Sequence, residues 1–163
     1  MTVALILSGG SGVRLGADIP KQYIEVNDRP IISYCIELLS RHGEIGAIQI
    51  VAAQEWQTLI RSCLEKYDVN SKFRGFSLPG ENRQLSIYHG LADIREYAED
   101  SDVVLIHDAA RPLLSEQMIT DCAAAMEGHD GVMPVLPMKD TVYRSVDGKT
   151  VSELLERTEI YAG

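Results

Sequence analysis

Three protein classes are excluded by what this chain has little of. Its cysteines number three (Cys35, Cys63 and Cys122), an odd count at wide spacing with no C-x-x-C pair. Neither a disulfide framework nor a zinc ribbon is written in that pattern, and it fits reduced, mostly buried thiols in a cytosolic protein. Basic residues are scarce too: 15 Lys and Arg stand against 24 Asp and Glu, a net charge of −9. A general nucleic-acid or anionic-membrane surface is therefore excluded, and any polyanion must be gripped by a local cationic site. Long hydrophobic runs are missing. The apolar stretch at residues 3–7 is too short for a signal-peptide core or a membrane span, and no basic region precedes it. Internal repeats, low-complexity tracts and Ser/Pro-rich linkers are absent as well. The expectation is one cytoplasmic domain over residues 1–163.

What is there is ordinary globular composition, 45% hydrophobic and 24% charged. Apolar runs at 3–7, 47–53, 72–78, 102–107 and 131–137 read as strands. Helical spacing of apolar residues covers 31–42, 55–66, 83–97 and 115–127, with Ser115 placed as an N-cap. The strands are rich in Val and Ile without alternation, which implies burial on both faces. An α/β domain with a mostly parallel sheet follows. Beyond Pro137, residues 140–144 and 150–154 flank the turn pair Asp147-Gly148 and read as a β-hairpin arm.

The chemistry starts in LSGGSGVRLGADIPKQY, residues 7–23. No glycine of this stretch is followed by the Lys and Ser or Thr of a Walker loop. The dinucleotide fingerprint also fails: Gly10 and Gly12 fit, but Leu15 holds the third position and Gly16 comes one late. A bare strand-to-loop backbone remains. It can serve as a simple turn, or let several N–H groups converge on phosphate oxygens. Arg14, Lys21 and the stiffening Pro20 favour phosphate.

Ligands of a parallel sheet gather at the strands' carboxyl ends, and four such ends here are polar, the first being the glycine stretch. Residues 79–86 carry Gly80, Glu81, Arg83 and Ser86. Residues 107–112 carry His107, Asp108 and Arg111, and residues 139–141 carry Asp140 and Thr141. Each has a plain alternative. Asp108 can cap a turn or, facing a phosphate loop, hold Mg²⁺. Arg111 can be a surface charge or an anion clamp. His107 reads as structural, and Arg157 lies in a charged, solvated stretch.

Taken together, Gly10-x-Gly12-x-Arg14, Pro20-Lys21-Gln22-Tyr23, Gly80-x-x-Arg83-x-x-Ser86, His107-Asp108-Ala109-Ala110-Arg111-Pro112 and Asp140-Thr141 resemble the 2-C-methyl-D-erythritol 4-phosphate cytidylyltransferase family. The related ribitol 5-phosphate cytidylyltransferases share most of the pattern. The resemblance implies a Rossmann-like nucleotidyltransferase fold of the nucleotide-diphospho-sugar transferase type, carrying a β-hairpin dimerisation arm. It implies transfer of CMP from CTP to a polyol phosphate in isoprenoid precursor synthesis, with Mg²⁺. By the same resemblance, Ser8, Gly9, Gly10 and Gly12 form the nucleotide loop, and Arg14 and Lys21 grip the triphosphate and transition state. Gly80, Glu81 and Ser86 surround cytosine and ribose, with Arg83 holding that loop. Asp108 sits by the metal. Arg111, Thr141 and Arg157 receive the polyol phosphate, Arg157 in the partner's site across a homodimer built on residues 139–154.

Two departures pull in opposite directions. Ser8-Gly9 stands where the methylerythritol enzymes usually have two alanines, which is closer to the ribitol relatives; Ala109-Ala110 is the methylerythritol form. The family also continues with a Gln/Thr-Pro-Gln segment, a Thr-Asp element and a late lysine, so the chain reads either as a piece of a longer product or as a non-catalytic nucleotide-binding module. A dinucleotide oxidoreductase needs an acid after the second strand, where Ala52-Ala53-Gln54 offers none.

Overall fold

The apolar runs become strands in an order that sets where a ligand can bind. The computed structural model describes residues 1–10 and 19–163. In chain order, β1 (Thr2–Leu7) is followed by the short strands β2 (Glu25–Val26) and β3 (Arg29–Pro30). Then come α1 (Ile31–Arg41), β4 (Ile45–Val51), α2 (Gln57–Tyr67), β5 (Phe73–Ser77), α3 (Arg83–Ile94), β6 (Val103–Asp108) and α4 (Glu116–Ala125). Strands β5, β4, β1 and β6 pair in that order, all parallel.

Residues 3–6 of β1 are wholly buried, and their side chains alternate between two cores. Ala4 and Ile6 join Ile48 and Ile50 beneath Ile32, Cys35, Ile36 and Leu39 of α1 and Ile60, Cys63 and Leu64 of α2. Val3 and Leu5 join Ala47, Val51 and Ile94 of α3 on the other face. Spacing of three and four in α1 gives one apolar stripe, which is why it lies flat on the sheet. Asn82 caps α3 by accepting the Leu85 N–H at 2.9 Å, and Ser115 caps α4 by accepting the Met118 N–H at 3.2 Å, as its placement predicts.

The chain divides into two compact units, Met1–Ile119 and Thr120–Gly163. Within the second, the expected strand 131–137 is corrected to β7 (Leu136–Pro137), which pairs antiparallel with β10 (Tyr161–Ala162) and not with the main sheet. Pro134 and Pro137 withdraw ladder donors from that run, which limits pairing. The arm is shorter than expected: β8 (Tyr143–Arg144) pairs with β9 (Glu153–Leu154). Its turn is made by Gly148 at φ +69° and by Asp147, whose carboxylate accepts from the Lys149 and Thr150 N–H groups at 2.8 Å each. Helix α3 stops at Ile94 and α4 at Ala125, two to three residues before their expected ends. The β2–β3 hairpin was not anticipated, although Asn27 and Asp28, both at positive φ, are residues that primed turns favour. No helix among the described residues is long and apolar enough to cross a membrane.

Candidate active site

Leu7, Val51, Ser77 and Asp108 end the four main strands level with one another. Leu7 is in register with Val51 and with Asp108, and Val51 with Ser77. The chain leaves β1 towards β4, while β6 lies on the other side of β1. That reversal marks the carboxyl end of β1 as the place where open α/β sheets bind ligands.

The loop after β1 is pinned from behind. The Ser8 N–H donates to Val51 O at 2.8 Å. Gln22 Nε2 donates to both Ser8 O and Gly10 O at 2.9 Å, and the Tyr23 hydroxyl donates to Ser8 O at 2.9 Å. Ser8 Oγ in turn donates to the Tyr23 hydroxyl at 2.8 Å. Tyr23 is buried and stacks on Trp56 with ring centroids 4.4 Å apart. Burial raises its hydroxyl pKa above the ordinary value, so it stays a donor at neutral pH. Lys21 opens the same 3₁₀ turn (Lys21–Tyr23) and is exposed. Gly12 and Arg14 lie outside the described residues. Gln22 and Tyr23 were missed as functional residues: they belong to the quoted Pro-Lys-Gln-Tyr motif, but their partners are backbone carbonyls twelve or more residues away.

Two glycines are needed where loops touch. A Cβ on Gly9 would stand 2.5 Å from Pro79 Cβ, so the β1 and β5 loops meet at that point. A Cβ on Gly80 would stand 2.3 Å from Leu85 Cβ and 2.8 Å from the Leu85 carbonyl carbon. The Gly80 N–H donates to Ser86 Oγ at 3.0 Å, and that hydroxyl donates to Asn82 O at 2.9 Å. Ser86 therefore shapes the loop that precedes α3. Glu81 is exposed.

Asp108 is bracketed by cations. Arg83 Nη2 lies 3.2 Å from its Oδ1 and Arg111 Nε 3.2 Å from its Oδ2. Arg83, expected to hold its own loop, reaches instead to the end of β6. The Ala109 N–H donates to Leu7 O at 3.0 Å and the Arg111 N–H to Asp108 O at 3.0 Å, fixing the turn beside β1. His107 Nε2 closes the same turn on Arg111 O at 3.0 Å. Burial lowers the His107 pKa, which favours a neutral ring donating its N–H. Cys35 Sγ lies 3.5 Å from that nitrogen, and burial pushes its thiol up to about 12, so it is inert.

Thr141 and Arg157 belong to the second unit and are exposed; Arg157 Nη1 donates to Lys139 O at 3.2 Å. Among the described residues no group of three or more His, Cys, Asp or Glu side chains converges as a metal cage. Asp108 remains a single hard carboxylate, 31% exposed, beside the glycine loop. That suits Mg²⁺, which takes one or two carboxylates and fills its shell with phosphate oxygens and water.

Comparison with known proteins agrees with this fold. The ribitol-5-phosphate cytidylyltransferase of Vibrio parahaemolyticus is 33% identical over 97% of this chain and 66% of its own length. The 2-C-methyl-D-erythritol 4-phosphate cytidylyltransferase of Syntrophotalea carbinolica is 37% identical over 88% of this chain and 61% of its own. The crystal structure of 4-diphosphocytidyl-2C-methyl-D-erythritol synthase from Anaerococcus prevotii superposes with a TM-score of 0.80 at 28% identity, covering 99% of this chain and 67% of that one. The chain thus spans about two thirds of the length of these relatives. The family model "IspD: 2-C-methyl-D-erythritol 4-phosphate cytidylyltransferase" matches residues 2–163, and with the parallel sheet this places the chain in that family of nucleotidyltransferases.

Proposed function

We propose that this protein transfers CMP from CTP to a polyol phosphate, 2-C-methyl-D-erythritol 4-phosphate, releasing pyrophosphate. One observation carries the reading: the glycine loop after β1 abuts the β5 loop at Pro79, and Asp108 ends the neighbouring strand flanked by Arg83 and Arg111. A close-approach backbone and a cationic cluster at one sheet edge suit two phosphorylated substrates. An oxygen of the acceptor phosphate attacks the α-phosphorus of CTP, the α–β anhydride bond breaks, and pyrophosphate leaves with the electron pair. The attacking monoester is already anionic near neutral pH, so no general base is required. What limits the reaction is bringing polyanions together and stabilising charge on the α-phosphate and the leaving group.

Lys21 and Arg14 would neutralise the triphosphate, while Arg111, Thr141 and Arg157 would receive the acceptor phosphate. Gly80, Glu81 and Ser86 would frame cytidine. Asp108 would hold Mg²⁺, which when bound supplies charge neutralisation at phosphate oxygens. The arm is proposed to pair with the arm of a second copy. Tyr143, Val146, Val151 and Leu154 are all more than half exposed, and a two-stranded ribbon alone is marginally stable in water.

A second acceptor, ribitol 5-phosphate, is favoured by Ser8-Gly9-Gly10 and by the Vibrio parahaemolyticus relative. The test is pyrophosphate release by full-length protein with CTP and a panel of polyol phosphates. The highest kcat/KM with methylerythritol phosphate supports the first reading, and turnover of ribitol phosphate alone replaces it with the second. Saturable CTP binding with no release on any acceptor leaves a nucleotide-binding module and overturns the enzyme.

A further inference from the structure

At the carboxyl end of β1 the buried side chains of Gln22 and Tyr23 converge on one short stretch of chain, Ser8 to Gly10. Gln22 is 4% exposed and Tyr23 2%. Between them they direct three donor contacts at two carbonyls, Ser8 O and Gly10 O. The stacked Trp56 ring fixes Tyr23 from the side. The consequence follows from peptide geometry. The chain has no cis peptide bond among the described residues, and in a trans peptide the C=O and the following N–H point in opposite directions. With Ser8 O turned onto Gln22 and Tyr23, the Gly9 N–H is turned away from them. A glycine-rich backbone without this anchor samples many conformations, including ones that aim carbonyl oxygens at an incoming anion.

We propose that Gln22 and Tyr23 are positioning residues for the nucleotide loop. They hold the carbonyls of Ser8 and Gly10 inward, so that the Gly9 N–H is presented to a phosphate oxygen before the ligand arrives. The inference rests on the triphosphate reading above. It makes Pro-Lys-Gln-Tyr a two-part device: the exposed Lys21 supplies charge, and the two residues after it orient the dipoles that the charge works beside. Preorganised donors of this kind do not have to be reoriented when the anion binds.

The test uses full-length protein with two variants. Gln22→Glu keeps the side-chain length but replaces the donor with acceptor oxygens facing two carbonyls. Tyr23→Phe keeps the ring on Trp56 and removes the donor to Ser8 O together with the acceptor of Ser8 Oγ. Backbone ¹⁵N order parameters are measured for Gly9, Gly10 and β1. Dissociation constants for CTP and for inorganic triphosphate are measured well below each variant's melting midpoint. In the wild type the Gly9 and Gly10 amides should be rigid, near about 0.85, and in Gln22→Glu they should fall towards about 0.6 while β1 stays unchanged. Both ligands should then bind about tenfold more weakly, by the same factor, with a smaller loss of about threefold for Tyr23→Phe. A purely structural role would lower the melting midpoint without weakening binding by the folded molecule.

Unchanged order parameters in both variants overturn the anchor. A loosened loop with unchanged affinity for both ligands overturns the presentation of the N–H. A wild type that binds neither CTP nor triphosphate overturns the proposed function and the presentation with it, and the order parameters still decide whether the anchor exists.

Discussion

Arg83 Nη2 lies 3.2 Å from Asp108 Oδ1 and so ties the first residue of α3 to the last residue of β6. Both side chains are partly solvent-exposed, and such pairs contribute about 1 kcal/mol or less to stability. Arg83→Ala should accordingly leave chemical-denaturation stability within about 1 kcal/mol of wild type. Its kcat/KM for CTP should fall at least about tenfold, because a cation proposed to stand beside the phosphates is lost. Steady-state kinetics that match wild type would return Arg83 to the surface.

Lys21 is exposed at the start of its turn, so Lys21→Ala should fold normally. Its barrier should rise by roughly 2.7–4 kcal/mol, the scale of losing one oxyanion donor. The same is expected of Arg14→Ala. Pre-steady-state turnover of full-length protein measures this, and near-normal rates in either variant would remove that residue from the transition state.

Gly80→Ala places a methyl group where Leu85 already stands, at 2.3 Å from its Cβ and 2.8 Å from its backbone. Something must shift in the Gly80–Ser86 turn. The expected cost is about 1–3 kcal/mol of stability, by overpacking. Discrimination between CTP and UTP should narrow, since backbone around Gly80 is proposed to read the base edge and unpaired buried donors reject the wrong base. Competition assays with both nucleotides provide the readout; an unchanged CTP:UTP ratio counts against base reading there.

The arm's turn gives a pH prediction. Hydrogen bonds from the Thr150 and Lys149 N–H groups, then from the Thr150 hydroxyl, hold the Asp147 carboxyl well below the usual carboxylate range. Its folded pKa is depressed, so its contribution is complete above the ordinary aspartate value of about 3.9 and is lost as pH falls through the lower folded value. The hairpin should stay ordered through pH 4 and loosen only in stronger acid. A carboxyl ¹³C titration of Asp147 with an ordinary midpoint would contradict this.

Association has a direct test. Deleting residues 139–154, or placing Asp at both Val146 and Val151, should convert a dimer to a monomer and abolish acceptor turnover in full-length protein. Light scattering that finds a fully active monomer would falsify the exchanged arm and return Arg157 to solvent.

Much of the fold was legible because its signals are local. Residues 3–7 are apolar without alternation, and 47–53 are so but for Gln49, which is what a strand buried on both faces requires, and β1 and β4 are buried in that way. The stripe in α1 and the cap at Ser115 depend on neighbours three or four residues away. Residues 131–137 misled because an apolar run carries no record of its pairing partner. The prolines limit it to a two-residue pairing with β10, Leu136 opposite Ala162 and Pro137 opposite Tyr161.

For the site, the sequence by itself determined the residue types at the strand ends: glycines after β1, Gly80 after β5, and Asp108 at the end of β6 with Arg111 beyond it. Spacing and composition determine these, because a strand that ends in glycine or charge cannot continue into the core. Only the tertiary structure decided that Arg83 reaches Asp108, that Gly9 stands against Pro79, and that Gln22 and Tyr23 are buried against Ser8 and Gly10. These contacts join residues 12 to 70 positions apart. The first two exist because parallel pairing brings the carboxyl ends of β1, β5 and β6 to one edge, and the last because the Lys21–Tyr23 turn folds back under the end of β1, contacts that only the folded chain brings within reach.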